Sequence, residues 1–313
     1  MSLESKISIL KDRAEMLSQA RLFFSKKHIL EVDTPLLSST APIDAHIDIM
    51  TTKMHDGRLG YFHSSPEYAM KRLISAGLEN IYQISHVYRF GEEGHLHNPE
   101  FCMVEWYESP CSFDKIIDNT VDFIKIFLSG LPVKIASYEE TLQKYTGLSL
   151  KNATENSLAE YIKEHSPEAP NDIFFWDIDT LLQYIVSFLI EPFLGNDELF
   201  VIKYFPASQA ALSQVTEHDN LKVAERFEIY YKGIELANGY HELSDSAEQR
   251  TRFSISNKKR VELNKEPLPL DELLLKALEK GLPDCCGVAV GFDRLMMLRH
   301  KKKTIAEVIP MAW

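Results

Sequence analysis

The sequence predicts an α+β fold, a mainly antiparallel sheet with helices before it, within it and after it. Three observations carry that prediction. Near the start, Ile7, Leu10, Ala14, Leu17, Ala20 and Phe24 recur at helical spacing. Segments 81–90 and 101–107 are rich in aromatic and β-branched residues, and a polar, Gly-bounded stretch separates them, as in a hairpin with a long loop. Near the end, 286–291 reads as a short strand of small and apolar residues running straight into a helix at 292–300. Strands and helices do not alternate in βαβ fashion, which leaves a parallel, doubly wound sheet unsupported.

The elements follow in order. The first helix ends near Lys27, a short extended piece covers 29–32, and Thr34-Pro35 cannot continue a helix. On the second hairpin strand, period two puts Phe101, Met103, Glu105 and Tyr107 on one face. A carboxylate and a phenol among apolar neighbours suit a pocket that holds a cation by its charge and an aliphatic stem by aromatic walls. Residues 113–129 read as a helix. Residues 140–197 are mostly helical, with a polar, Pro-containing patch at 166–170, and read as an insertion within one domain spanning 1–313. Strands are expected at 199–205 and 227–236, a turn at Asn238-Gly239 and helices at 246–264 and 270–280.

Composition narrows the function. The chain has 313 residues, 45% of them hydrophobic, so it can bury a sizeable core. Its net charge of −12 argues against broad contact with a phosphate backbone. Lys301-Lys302-Lys303 and Lys258-Lys259-Arg260 are the candidate basic patches, and solvated charged faces explain both better. Residues 1–10 lack an apolar leader, and no apolar run approaches the roughly 20 residues of a membrane span. Cys102, Cys111, Cys285 and Cys286 form no CxxC pair, so a reduced, cytoplasmic protein without a zinc site is expected. His95 and His97 find no third ligand at a plausible spacing. GxGxxG, GxxxxGK[ST] and GxSxG are absent.

Three places carry possible chemistry. Arg89 ends the first hairpin strand, and an Arg there can clamp a phosphoryl group. The loop after it holds Glu92, Glu93, His95, His97 and Asn98, and an ordinary solvated loop would look the same. Glu235 and Glu242 flank Asn238-Gly239. In a continuous strand they would lie over ~20 Å apart, whereas a reversal would bring two carboxylates together as Mg²⁺ ligands near a triphosphate. Two surface carboxylates are the plainer alternative. Gly287 to Gly291 lets a backbone approach a ligand closely. Arg294 then falls in the first turn of a helix, where a cation opposes the dipole and wants an anion; a solvent-facing Arg fits equally.

Together the helix-strand-proline around Pro35, the Arg89 hairpin and the Gly291–Arg294 strand-helix resemble motifs 1, 2 and 3 of class II aminoacyl-tRNA synthetases. The likeness extends to the lysyl enzymes. His97-Asn98-Pro99-Glu100-Phe101 with Glu105 and Tyr107 is similar to their motif 2 strand. Ser65-Pro66-Glu67 with Lys71-Arg72-Leu73 resembles their substrate-side helix, and Gly233-Ile234-Glu235 through Glu242-Leu243 resembles their metal-binding segment. The likeness runs from about residue 8 to residue 311. The chain begins at motif 1, so no anticodon-binding domain is expected. Ala237 and Ala289 replace customary glycines, and Phe205-Pro206-Ala207-Ser208-Gln209-Ala210 differs from the synthetases. In these features it resembles the elongation factor P–(R)-β-lysine ligases, truncated paralogues of lysyl-tRNA synthetase. Glu92 stands three residues after Arg89, one later than the class pattern.

The resemblance implies activation of (R)-β-lysine, or lysine, as an adenylate with ATP and Mg²⁺, then transfer to a lysine of elongation factor P. Arg89 and Arg294 would be catalytic. Phe90, Gly91, Glu92, His97, Asn98, Phe101, Glu235, Leu236 and Gly291 would complete the ATP site. Ser65, Pro66, Glu67, Glu105, Tyr107, Asn238, Glu242 and Ala289 would hold the substrate, with Glu235 and Glu242 as metal ligands. The protein would be a homodimer without membrane or tRNA partners. A free-standing enzyme charging an RNA and a non-catalytic amino-acid-binding paralogue are the alternatives.

Overall fold

The computed structural model describes residues 3–313, and the chain divides into two compact units. The first runs up to Ser129 and resumes at Glu242–Trp313; the second is Gly130–His241. In the first, α1 (Leu3–Lys26) leads to β1 (Leu30–Glu31). Strands β2 (Leu37–Ser38), β3 (Thr51–Lys53) and β4 (Leu59–Phe62) form a small separate sheet. Then come α2 (Glu67–Ser75), the hairpin β5 (Ile81–Tyr88) and β6 (Glu100–Glu108), and α3 (Phe113–Phe127). Ser112 caps α3 by accepting from the Lys115 amide.

The second unit holds β7 (Val133–Ser137), α4 (Tyr138–Thr146), α5 (Glu155–His165), α6 (Ile178–Tyr184), β8 (Leu199–Pro206), β9 (Val215–His218), β10 (Leu221–Tyr231) and β11 (Ile234–His241). The helices expected within 140–197 all fall here, and Leu142, Leu158, Ile162 and Leu181 bury one face of them with Phe200 of β8. Strands β8, β10 and β11 pair antiparallel in that order, β9 adds to β10, and β7 runs parallel to β8. The chain then returns to the first unit with α7 (Ser246–Glu262), α8 (Glu272–Lys280), β12 (Cys286–Gly291) and α9 (Phe292–Arg299).

In the first unit β5, β6 and β12 pair antiparallel, and β1 joins β5 in parallel. The pleat gives this sheet two unlike faces. Tyr82, Val104, Trp106 and Val288 point to one side, where α1 and α3 cover them. Phe24 of α1 stacks on Tyr82 at 4.0 Å, and Phe123 of α3 meets Trp106 at 5.4 Å. Full burial of such side chains is worth roughly 1.5–3 kcal/mol apiece. The opposite face carries Gln83, Glu105, Tyr107, Gly287 and Ala289, which are opposed across the strands: Gln83 and Ala289 flank Glu105, and Gly287 lies against Tyr107.

Two sequence expectations are corrected. Asn238-Gly239 is not a turn; both residues are extended within β11, opposite Glu228 and Phe227. The reversal occurs at Lys232-Gly233, both at positive φ (52° and 70°), and so the strand expected over 227–236 is two strands. The type I′ two-residue hairpin turn has that conformation at both central positions, and a Cβ at Gly233 would come within 3.0 Å of the Glu191 carbonyl. Nothing at Asn238-Gly239 folds Glu235 back toward Glu242. Nor is Lys258-Lys259-Arg260 simply a solvated face. Arg260 is buried and donates to the carbonyls of Asp44, Ile47 and Glu266 at 2.8–2.9 Å. It thereby pins loop 44–48, whose Asp48 carbonyl accepts from the Phe90 amide.

Candidate active site

The polar face of the first unit's sheet is roofed by the start of α2. Pro66 precedes the helix, Glu67 occupies its first turn, and Lys71 sits one turn on along the same side. Lys71 Nζ lies 2.6 Å from Glu67 Oε1 and 2.5 Å from Glu242 Oε2. Lys71 is only 2% exposed. Burial alone would lower its pKa, but Glu242 and Glu67 overcome that and hold it above the usual lysine value. The Glu242 amide donates to the Cys285 carbonyl, which fixes this acid beside β12.

Glu105 occupies the middle of β6, equally buried. Its two oxygens accept from the hydroxyls of Ser65 and Tyr107, each at 2.7 Å. Burial first, then the nearby charge of Glu67, push its pKa up to about 8. Beside it β12 carries only small residues. A Cβ at Gly287 would fall 2.6 Å from Tyr107 Cδ1, and closer still to Tyr107 Cε1 and Glu242 Oε1. Space, not backbone angle, requires that glycine. Ser65, Glu67, Glu105, Tyr107, Glu242 and Ala289 thus fall in one cluster on this face of the sheet.

Along the same face, β5 leads from Gln83 through Ser85 to Arg89. Gln83 Oε1 accepts from the Thr34 amide at 3.0 Å. Gln83 Nε2, Ser85 Oγ and Arg89 Nε are buried without a hydrogen-bond partner. Orphaned polar atoms are rare in folded proteins and costly, and three of them share this face. The Arg89 guanidinium rests 5.2 Å from the Phe101 ring centroid and 3.7 Å from Glu92. Arg294, in the first turn of α9 just after Gly291, contacts His97 Nε2 at 3.0 Å. Burial and then Arg294's charge lower the His97 pKa, which favours the neutral imidazole as acceptor. Asn98 braces the loop, donating to the Glu100 carbonyl at 2.6 Å and accepting from the Trp313 amide at 3.0 Å. Asp293 accepts from the Cys102 amide at 2.7 Å and pairs with Arg13, tying α9 to β6 and α1. Phe90 is largely exposed, and Gly91 takes a positive φ of 77°.

Glu235, Leu236 and Asn238 belong to β11 in the second unit. There Leu236 is buried, Glu235 half-buried, and Asn238 Nδ2 lies 3.4 Å from Glu228. For Mg²⁺, Glu242 fits poorly, because its carboxylate is already engaged by an ammonium. Among the described residues no three His, Cys, Asp or Glu side chains form a metal cage. Sequence reasoning missed Gln83, Ser85 and the place of Lys71. An i,i+4 Glu–Lys pair on the apolar side of a helix was the available signal for the last. Among the described residues, no helix is long and apolar enough to cross a membrane.

Residues 2–312 match the family model of class II tRNA synthetases (D, K and N). The chain is 41% identical over 305 residues to an elongation factor P–(R)-β-lysine ligase of Haemophilus influenzae strain PittGG, covering 96% of this chain and 93% of that protein. It is 39% identical over 310 residues to the ligase of that name from Haemophilus ducreyi (97% and 94%). Against the one from Edwardsiella ictaluri the identity is 41% over 304 residues (95% and 92%).

Proposed function

Because the chain belongs to the family of class II tRNA synthetases (D, K and N), we propose that this ATP-dependent ligase activates (R)-β-lysine as its adenylate and transfers it to a lysine side chain of elongation factor P. Its relatives are named for that product. The observation that carries the reading is the buried acidic pocket. Glu105, held by Ser65 and Tyr107, and Glu67 with Glu242 present carboxylates to an amine-bearing chain. The same face leads to Arg89, where the substrate carboxylate would lie.

In the first step that carboxylate attacks the α-phosphorus of ATP, and pyrophosphate leaves. Arg89 binds α-phosphate and carboxylate oxygens, and Arg294 meets the γ-phosphate of a bent ATP. Phe101 and Arg294 flank the adenine, while Phe90, Gly91 and Glu92 line its edge. His97 and Asn98 set the loop. Positioning and charge neutralisation do the catalysis, with no protein nucleophile. In the second step the acceptor lysine amine attacks the mixed anhydride; an amide bond forms, AMP departs, and the amine proton is lost to solvent.

The test is ATP–pyrophosphate exchange with α-lysine and both β-lysine enantiomers, followed by transfer of labelled substrate to elongation factor P or bulk tRNA. Exchange strongest with (R)-β-lysine and label on the protein are expected. Label on tRNA, or no exchange with any lysine isomer, overturns the reading.

A further inference from the structure

The pocket holds more acid than its own base can balance. With all three acids ionised, the state an ammonium ligand selects, Glu67, Glu105 and Glu242 contribute three negative charges and Lys71 one positive charge, a formal sum of −2. Buried charge is tolerated when it is paired. Lys71 serves two of these acids, on two different parts of the chain, and at 2% exposure its ammonium cannot turn to solvent. Glu105 instead has hydroxyl partners, Ser65 and Tyr107. The neighbours across the strands, Gln83 and Ala289, carry no charge. The groups acting on Glu105 besides its hydroxyl partners are Glu67 and Glu242, both acids. Lys71 therefore offsets one of the three carboxylate charges from within the cluster.

We infer that Lys71 sets the number of positive charges the pocket demands. By cancelling one of three clustered carboxylates, it leaves a site matched to a ligand with two ammonium groups and discriminates against one-ammonium analogues. Lys71 is thus a specificity-determining positioning residue. The inference deepens, and rests on, the reading of the substrate as a diamino acid. A simple brace between α2 and Glu242 would predict something else: the loss of any acid weakens binding, and removing Lys71 as well can only weaken it further.

The two accounts separate in equilibrium binding to the purified full chain. The probes are (R)-β-lysine and 6-aminohexanoic acid, the same carbon chain with one amine fewer. Glu67→Gln lowers the pocket's demand to one positive charge, and the preference for the diamino acid falls by about tenfold or more. Lys71→Met added to Glu67→Gln restores the −2 sum, and the preference recovers toward that of the unaltered protein although Glu67 is still missing. Glu242→Gln, alone and with Lys71→Met, gives the same pattern and covers the case in which one double variant does not fold. If the double variants discriminate no better than their single parents, Lys71 is a brace and the inference is overturned. If the unaltered protein binds neither compound, the substrate reading itself fails, independently of Lys71.

Discussion

Both units bury ions, but with different charge balance. In the second unit Arg226 lies 2.5 Å from Glu228 Oε1, and the other Glu228 oxygen accepts from the Tyr230 hydroxyl. Arg226 also donates to the Gln209 carbonyl at 3.1 Å, and its guanidinium rests 4.6 Å from the Phe205 centroid. One cation meets one anion under an aromatic cover, with only Arg226 Nε of the guanidinium left without a hydrogen-bond partner. In the first unit one ammonium meets two of three clustered carboxylates, and the floor beside them is pared down to Gly287 and Ala289. A balanced, covered network specifies packing. An unbalanced one beside small residues is unfinished without a ligand, and such perturbed groups concentrate at functional sites.

The largest effect that tests this contrast is on stability. Arg226→Met leaves Glu228 uncompensated and should cost roughly 3–5 kcal/mol in denaturant unfolding. Adding Glu228→Gln should return most of that loss. In the first unit, Glu105→Gln removes an acid already in excess and should leave stability unchanged or raised. Equal destabilisation by Arg226→Met and Glu105→Gln would erase the distinction between the two networks.

A smaller effect lies in pH. The folded pKa of Glu105, about 8, exceeds its ordinary 4.5 because of burial first and Glu67 second. The folded protein therefore keeps a proton that the unfolded chain has released. Glu105 makes folding progressively less favourable as pH rises from 4.5 to about 8, with no further change above. Binding runs the other way, since an ammonium ligand selects the ionised acid. Affinity for (R)-β-lysine should rise with pH by up to about tenfold per unit between about pH 6 and pH 8. Glu105→Gln should flatten that slope; a slope that survives the substitution assigns the titration to another group.

The contrast also shows what could be read from the sequence. The face of β6 was legible, because alternation alone puts Glu105 and Tyr107 together among apolar residues. The small residues of β12 were legible too, since their lack of bulk is a property of the letters. Asn238-Gly239 misled, because a strong local turn preference yields where both residues have ladder partners, here Glu228 and Phe227. Lys71 and Arg260 looked like ordinary helix cations. What buries them is contact with residues about 170 to 215 positions away, Glu242 for one and loop 44–48 for the other, and no local pattern encodes that.

Size gives the finest test, since charge balance cannot distinguish two isomers with the same number of ammonium groups. Ala289 is half-buried on β12, directly across from Glu105, where its methyl occupies the polar side of the sheet. An α-amino group would branch from the ligand one carbon nearer the carboxylate than a β-amino group, and the Ala289 methyl is proposed to crowd it. A single methyl in a pocket is worth only roughly 1–3 kcal/mol, so the preference should be graded. Ala289→Gly should improve α-lysine in pyrophosphate exchange by about tenfold while leaving the pH slope set by Glu105 in place. Glycine within a strand costs about 0.5–1 kcal/mol, a loss small enough to be separated from the change in isomer preference by a parallel melt. If α-lysine activation stays the same or falls, the methyl does not read the isomer, and the choice between the two must come from how Glu67, Glu105 and Glu242 are spaced around the ammonium groups.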